Sequence, residues 1–135
     1  MTVRTSRSRT SRSSGWHRVK GGITAPQGYL ASGVSSGIKK KDLDLAVVFS
    51  SQPASAAAVF TLNCVQAAPV TLSKQNLKLS RGRMRAILIN SGCANACTGE
   101  RGLKDSKFSA RCLASHLNLD PFRILVASTD RKSVV

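Results

Sequence analysis

Beyond its hydroxyls and amines, this 135-residue chain offers few groups for acid–base, nucleophilic or metal chemistry. The carboxylates Asp42, Asp44, Glu100, Asp105, Asp120 and Asp130 are scattered, and no Ser, His and Asp stand at a spacing that makes a triad. The four cysteines, Cys64, Cys93, Cys97 and Cys112, include no Cys-x-x-Cys pair, and His17 and His116 lie far from them in sequence. Tetrahedral metal sites draw ligands from such close pairs, so neither a metal nor a cofactor is expected. Gly99 and Gly102 are too closely spaced for a phosphate-cradling loop. Cys112 falls where a helix would face a core and is expected as a buried free thiol. His116, beside the same apolar stripe, is expected as a structural histidine rather than a base. The richest stretch is Asn90-Ser91-Gly92-Cys93-Ala94-Asn95-Ala96-Cys97-Thr98-Gly99. Its small and amide-bearing residues suit close backbone approach and backbone bridging. Both a tight structural turn and a buried supporting loop beside an active site fit it; neither involves a metal or a nucleotide.

Something must carry that stretch. Ala86 to Asn90 is an apolar run that reads as a buried strand entering it. On its far side, Ala110, Leu113, Ala114 and Leu117 recur at helical spacing, which predicts an amphipathic helix over residues 105–117. Asn118 to Pro121 stops the helix, and Arg123 to Ser128 is the last strand. Upstream, Pro26-Gln27-Gly28 is a turn, residues 31–38 are small and β-compatible, and Lys39-Lys40-Lys41 reads as a solvated loop. Leu43, Leu45, Val47 and Phe49 alternate with Asp44, Ala46 and Val48, which predicts a strand ended by Ser50 to Pro53. Ala56 to Thr61 reads as another strand. Gln66 to Leu72 reads as extended, with Pro69 placing it at a sheet edge, and Ser73 as the N-cap of a short helix through Leu79. Arg81-Gly82-Arg83 reads as a loop. Strands alternating with helices give an α/β or α+β layered fold.

Five blocks resemble one family in its own order. The Asn90–Gly99 string is similar to the Asn-Ser-Gly-Asn-Ala-Asn-Ala-Cys-Thr-Gly signature of the ornithine acetyltransferases, the bifunctional glutamate N-acetyltransferases of arginine biosynthesis, with Cys93 where that family usually has Asn. Gly22 to Tyr29 resembles its opening Gly-Val-Thr-Ala-Pro-Lys-Gly-Phe. Ala57 to Asn63 and Ala67 to Val70 resemble its next two blocks, and Ser128-Thr129 the start of its Ser-Thr-Gly-Val-Ile-Gly block. The resemblance covers residues 21–129 and implies layered sheets flanked by helices.

It also implies a chemistry. Members of that family cut themselves, freeing a threonine whose own α-amine is the base for its hydroxyl. That threonine takes acetyl from N-acetylornithine and passes it to glutamate; whether acetyl-CoA also serves is left open. The family's Ala-Thr-Met-Leu nucleophile block does not occur in these residues. The chain therefore resembles the first part of the α segment, and by itself is expected to be catalytically silent. The missing partner would be the C-terminal half, the β chain, in a hetero-tetramer of two α and two β chains. The Thr-Gly of the family's Ser-Thr-Gly forms its oxyanion hole. Thr129 matches that threonine, while Asp130 stands where the family has glycine. A carboxylate beside a developing oxyanion is repulsive, and the loss of one oxyanion donor typically costs about 3–4 kcal/mol of transition-state stabilisation.

The net charge of +15 invites a nucleic-acid reading. Residues 1–41 hold 9 of the 21 basic residues and no acidic one, which fits a basic arm on a moderately basic domain better than a binding face. A small basic nucleic-acid-binding protein is the alternative reading, but Trp16, Tyr29 and the four Phe are not interleaved with the basic clusters. No apolar run approaches the roughly 18 residues of a membrane span. The chain divides into a basic Ser/Arg/Thr-rich tail expected to be disordered over residues 1–20, a domain over 21–129, and residues 130–135. With no secretory pattern the expected compartment is cytoplasmic; a mitochondrion or plastid is the alternative if the tail is a targeting peptide. Asp130-Arg131-Lys132-Ser133-Val134-Val135 continue no pattern of the preceding strand. They can be encoded by GATCGGAAGAGCGTCGTG followed by TAG, the sequence that read-through into a widely used short-read sequencing adapter gives. These six residues are expected to be non-native.

Overall fold

The structure is a computed structural model that describes residues 19–130. Residues 1–18 of the tail expected over residues 1–20, and residues 131–135, lie outside the described residues. Strands β1 (Tyr29–Val34), β2 (Leu45–Ser55), β3 (Arg83–Ser91) and β4 (Ile124–Thr129) form one sheet in that order. The first two pairings are antiparallel and β3–β4 is parallel. A parallel pair needs a crossover, and helix α2 (Gly99–Leu117) supplies it between β3 and β4. Helix α1 (Ala68–Leu79) joins β2 to β3. No helix among the described residues is long and apolar enough to cross a membrane.

The core follows strand alternation. Ala86, Leu88, Ile124 and Val126 face Leu72 of α1 and Ala110 and Ala114 of α2, with Leu45, Val47 and Phe49 packed around them. Ile124 is wholly buried. The alternate residues Val48, Ile87, Ile89 and Leu125 are half-buried. The stripe Ala110, Leu113, Ala114 and Leu117 packs on the core as its spacing requires.

Several elements differ from the sequence reading. Residues 66–72 are not an extended edge: α1 begins at Ala68, with Pro69 in its first turn. Proline is well placed there, because the first helical N–H groups have no partner within the helix. Ser73 is accordingly a buried mid-helix residue and not an N-cap; its hydroxyl donates to the Val126 carbonyl at 2.8 Å and accepts the Val126 N–H at 2.9 Å. Strand β2 runs on through Pro53 to Ser55, with a register shift between Phe49 and Ala54 that accommodates the proline. Residues 56–61 form no strand: Val59 and Leu62 are almost fully exposed. Helix α2 starts at Gly99, not at residue 105. Cys112 is exposed, because it lies off the packed stripe. His116 is exposed as well, with Nδ1 2.8 Å from the Cys112 carbonyl.

Candidate functional site

Parallel pairing brings the carboxyl ends of β3 and β4 together, with Asn90 beside Ser128 and Ser91 beside Thr129. Crevices outside the carboxyl ends of parallel strands are where α/β folds bind ligands. Ser128 donates its hydroxyl to Asn90 Oδ1 at 2.5 Å, and Asn90 Nδ2 donates to the Cys93 carbonyl at 2.8 Å. The end of β4 is thereby tied to the loop that leaves β3. The Gly92 N–H points at the Thr129 carbonyl (3.0 Å) and at the Asp130 carbonyl (3.2 Å). Thr129 is half-buried, and its hydroxyl lies 3.4 Å from the Asp130 carbonyl; Asp130 is exposed.

The loop is shaped by its own amides. Asn95 adopts a left-handed conformation (φ 49°), which asparagine tolerates, and Cys97 does too (φ 57°). Asn95 Nδ2 donates to the Gly102 carbonyl and to Ser106 Oγ, each at 2.9 Å, and its Oδ1 accepts the Thr98 hydroxyl at 2.6 Å. These bonds hold the loop against the first turns of α2. Gly102 can carry no side chain, since a Cβ there would collide with Thr98 Oγ1 and Asn95 Oδ1. A crevice of about 550 Å³ opens between this loop and the strand ends, lined in part by Asn90, Cys93, Asn95, Ser106 and Ser128. The expectation that the whole loop is buried is corrected: Cys93 and residues 96–99 are exposed, because only the Asn95 side turns toward α2.

One participant was not legible as such. Asp44, one of the scattered carboxylates, is only 2 % exposed. It accepts the Ser36 N–H (2.6 Å), the Ser36 hydroxyl (2.8 Å) and the Lys39 N–H (2.8 Å). These donors, the Lys39 and Ser36 amides foremost, hold its carboxyl down from 3.8 to about 2. Its own carbonyl accepts the Ser91 N–H at 2.9 Å, next to the site. An Asp flanked by Ser-Ser-Gly and a lysine run was the available sign, since such a carboxylate can fold a turn onto itself. Among the described residues no group of three or more His, Cys, Asp and Glu could hold a metal.

The model of the ArgJ family matches residues 30–131, a span that includes Thr129 and position 130. The arginine biosynthesis bifunctional protein ArgJ of Prochlorococcus marinus is 47% identical over 118 residues, which are 87% of this chain and 29% of that protein. Its counterpart from Caldanaerobacter subterraneus is 48% identical over 111 residues, 82% of this chain and 27% of its own. The chain thus spans less than a third of the length of these curated relatives. Among solved structures, ArgJ of Bacillus halodurans superposes with a TM-score of 0.78 at 37% identity, over 85% of this chain and 60% of that one. An ornithine acetyltransferase of Mycobacterium tuberculosis, solved with ornithine, gives 0.75 at 43% identity, over 84% of this chain and 61% of its own. With the motif blocks, the sheet order and the strand-end loop all in place, the chain belongs to the ArgJ family.

Proposed function

We propose that residues 21–129 are the N-terminal portion of a glutamate N-acetyltransferase that moves acetyl from N-acetylornithine to glutamate in arginine biosynthesis. The observation that carries this reading is the placement of Thr129. It ends β4 at the carboxyl edge of the parallel pair, in register with Ser91 and bonded through its carbonyl to the Gly92 N–H. In this reading Thr129 is an oxyanion-hole residue of the parent enzyme. It stabilises the negative oxygen of the tetrahedral intermediate formed when a threonine nucleophile attacks the acetyl group.

The nucleophile itself, freed by self-cleavage, is not in these 135 residues. The chain alone therefore neither cleaves itself nor transfers acetyl, and its partner is the C-terminal half of the enzyme, in an assembly of two α and two β chains. Residues 130–135 are not native, and the position of Asp130 belongs to a glycine. The enzyme works in the cytoplasm. The test is to mix the purified chain with N-acetylornithine and glutamate, follow acetylglutamate, and weigh the protein by mass spectrometry. One intact mass and no product above background are expected; two fragments, or turnover, would refute the reading. Acetyl transfer by a full-length family member carrying residues 21–129 in place of its own segment tests the positive half.

A further inference from the structure

Asp44 is bonded on two sides, to the end of β3 through its main chain and to the 36–39 loop through its buried side chain. Its carbonyl accepts the Ser91 N–H at 2.9 Å. Its side chain gathers the Ser36 N–H, the Ser36 hydroxyl and the Lys39 N–H, and so folds residues 36–39 into a fixed loop. That loop is laid directly on Gly92. A Cβ at Gly92 would stand 3.0 Å from Ile38 Cγ2 and 3.1 Å from Lys39 Cγ, so a side chain there would press on the loop. Gly92 is also in the left-handed region, at φ 105°, which directs its N–H across to β4. There it is bonded to the Thr129 carbonyl at 3.0 Å.

A trans peptide is planar, with its N–H pointing opposite to its C=O. Gripping the Thr129 carbonyl therefore also aims the N–H of residue 130, which shares that peptide. Resting on the oxyanion-hole reading above, we infer that Asp44 is a positioning residue. By folding the 36–39 loop onto the Gly92 turn, it fixes the direction of the peptide joining Thr129 to residue 130, and so the donors offered to the oxyanion. Asp44 touches no reacting atom; it acts through two backbone contacts.

Two readouts test this. Amide hydrogen exchange is measured on the 135-residue chain, and steady-state acetyl transfer on a full-length family member carrying residues 21–129 in place of its own segment. Asp44→Asn keeps the shape and removes the charge that holds two N–H donors. It accelerates exchange at Lys39 and Gly92 by about tenfold or more while the amides of Ala110 and Ala114 in α2 keep their protection. In the enzyme it lowers kcat by about tenfold or more, with KM changed by less than about twofold, because a small misplacement of a donor acts on the transition state. Ser36→Ala leaves both backbone bonds in place and gives the same pattern at smaller amplitude. Exchange that accelerates at Lys39 but not at Gly92 would overturn the inference. So would a rise spread evenly over the sheet and α2, or a loss confined to KM. If the enzyme with unsubstituted residues 21–129 transfers no acetyl, the oxyanion reading fails; the coupling from Asp44 to Gly92 is still decided by exchange alone.

Discussion

Among the described residues no cation pairs with the Asp44 carboxylate; backbone N–H groups and one hydroxyl hold its charge. Such bonds are stronger to the ionised form, which is why the carboxyl sits near 2 instead of 3.8. The sign of the pH effect follows. A carboxyl depressed in the folded state contributes stability that is fully present above its unfolded value and is lost as pH falls through its folded value. The 36–39 loop should hold at pH 5 and above, weaken below about pH 4 and let go near pH 2. An NMR titration that follows the Asp44 carboxyl carbon with the Lys39 and Ser36 amides checks this. A common midpoint near 2 is expected; a midpoint at 3.8 would show a carboxylate without these bonds. Gly102 makes a second demand at this scale. Gly102→Ala puts a methyl group where Thr98 Oγ1 and Asn95 Oδ1 already are. Overpacking of this kind typically costs about 1–3 kcal/mol, read as a lowered denaturation midpoint. Restoring the wild-type midpoint with Ala at 102 would show that the loop has other ways to seat itself.

Strand β4 is an edge, and α1 closes it. Ser73 both donates to and accepts from Val126, and Asn76 Nδ2 donates to the Ile124 carbonyl at 2.8 Å. Side chains of a helix thus satisfy the ladder positions that a further strand would have used, and they hold β4 in register for Thr129. Ser73→Ala leaves the Val126 N–H and C=O unpaired in the interior, a loss of about 1–3 kcal/mol. Chemical denaturation should show it, with α2 amides still protected in the native state; an unchanged midpoint would mean that water replaces the hydroxyl. The same pair shows why some elements were legible and others were not. The strand over residues 86–90 and the helix over 105–117 were readable, because apolar side chains repeat there at the strand and helix periods. The first turns of α2 were not: what they bury is Gly102 and Ser106, which leave no apolar signal. Pro69 read as an edge-strand mark, yet it suits a first helical turn equally, and only the packing of Leu72 on the sheet decides. At the site, Thr129 and the Asn90–Gly99 loop were readable as a motif. Asp44 was not, because its partners are two backbone amides and a hydroxyl at sequence distances that no periodicity displays.

At the scale of the whole chain, the last six residues are where the sequence and the site disagree. On the proposed oxyanion role, the site asks for a residue at 130 that offers its backbone and keeps negative charge away from a developing oxyanion. The Asp130 carbonyl lies 3.2 Å from the Gly92 N–H and 3.5 Å from the Ser91 hydroxyl, contacts that any residue, glycine included, would keep. A carboxylate, by contrast, opposes the function assigned to Thr129. The motif resemblance runs through Thr129 and fails at the next residue, inside a block whose glycine the oxyanion reading requires. The codons GAT CGG AAG AGC GTC GTG and the stop TAG can encode Asp130 to Val135 together, and the adapter's extra leading A can be the third base of the Thr129 codon. Any third base there still encodes threonine, so Thr129 remains native on this account. Long-read sequencing of the genomic locus decides it. The expected result is a glycine codon directly after Thr129 and an open frame beyond. Recovering Asp-Arg-Lys-Ser-Val-Val and the stop from genomic DNA would overturn it. The peptide joining Thr129 to residue 130 would then carry a true carboxylate beside it, and restoring glycine by Asp130→Gly in the full-length enzyme bearing that segment should raise kcat, because it removes a charge that repels the oxyanion and keeps the backbone N–H that stabilises it.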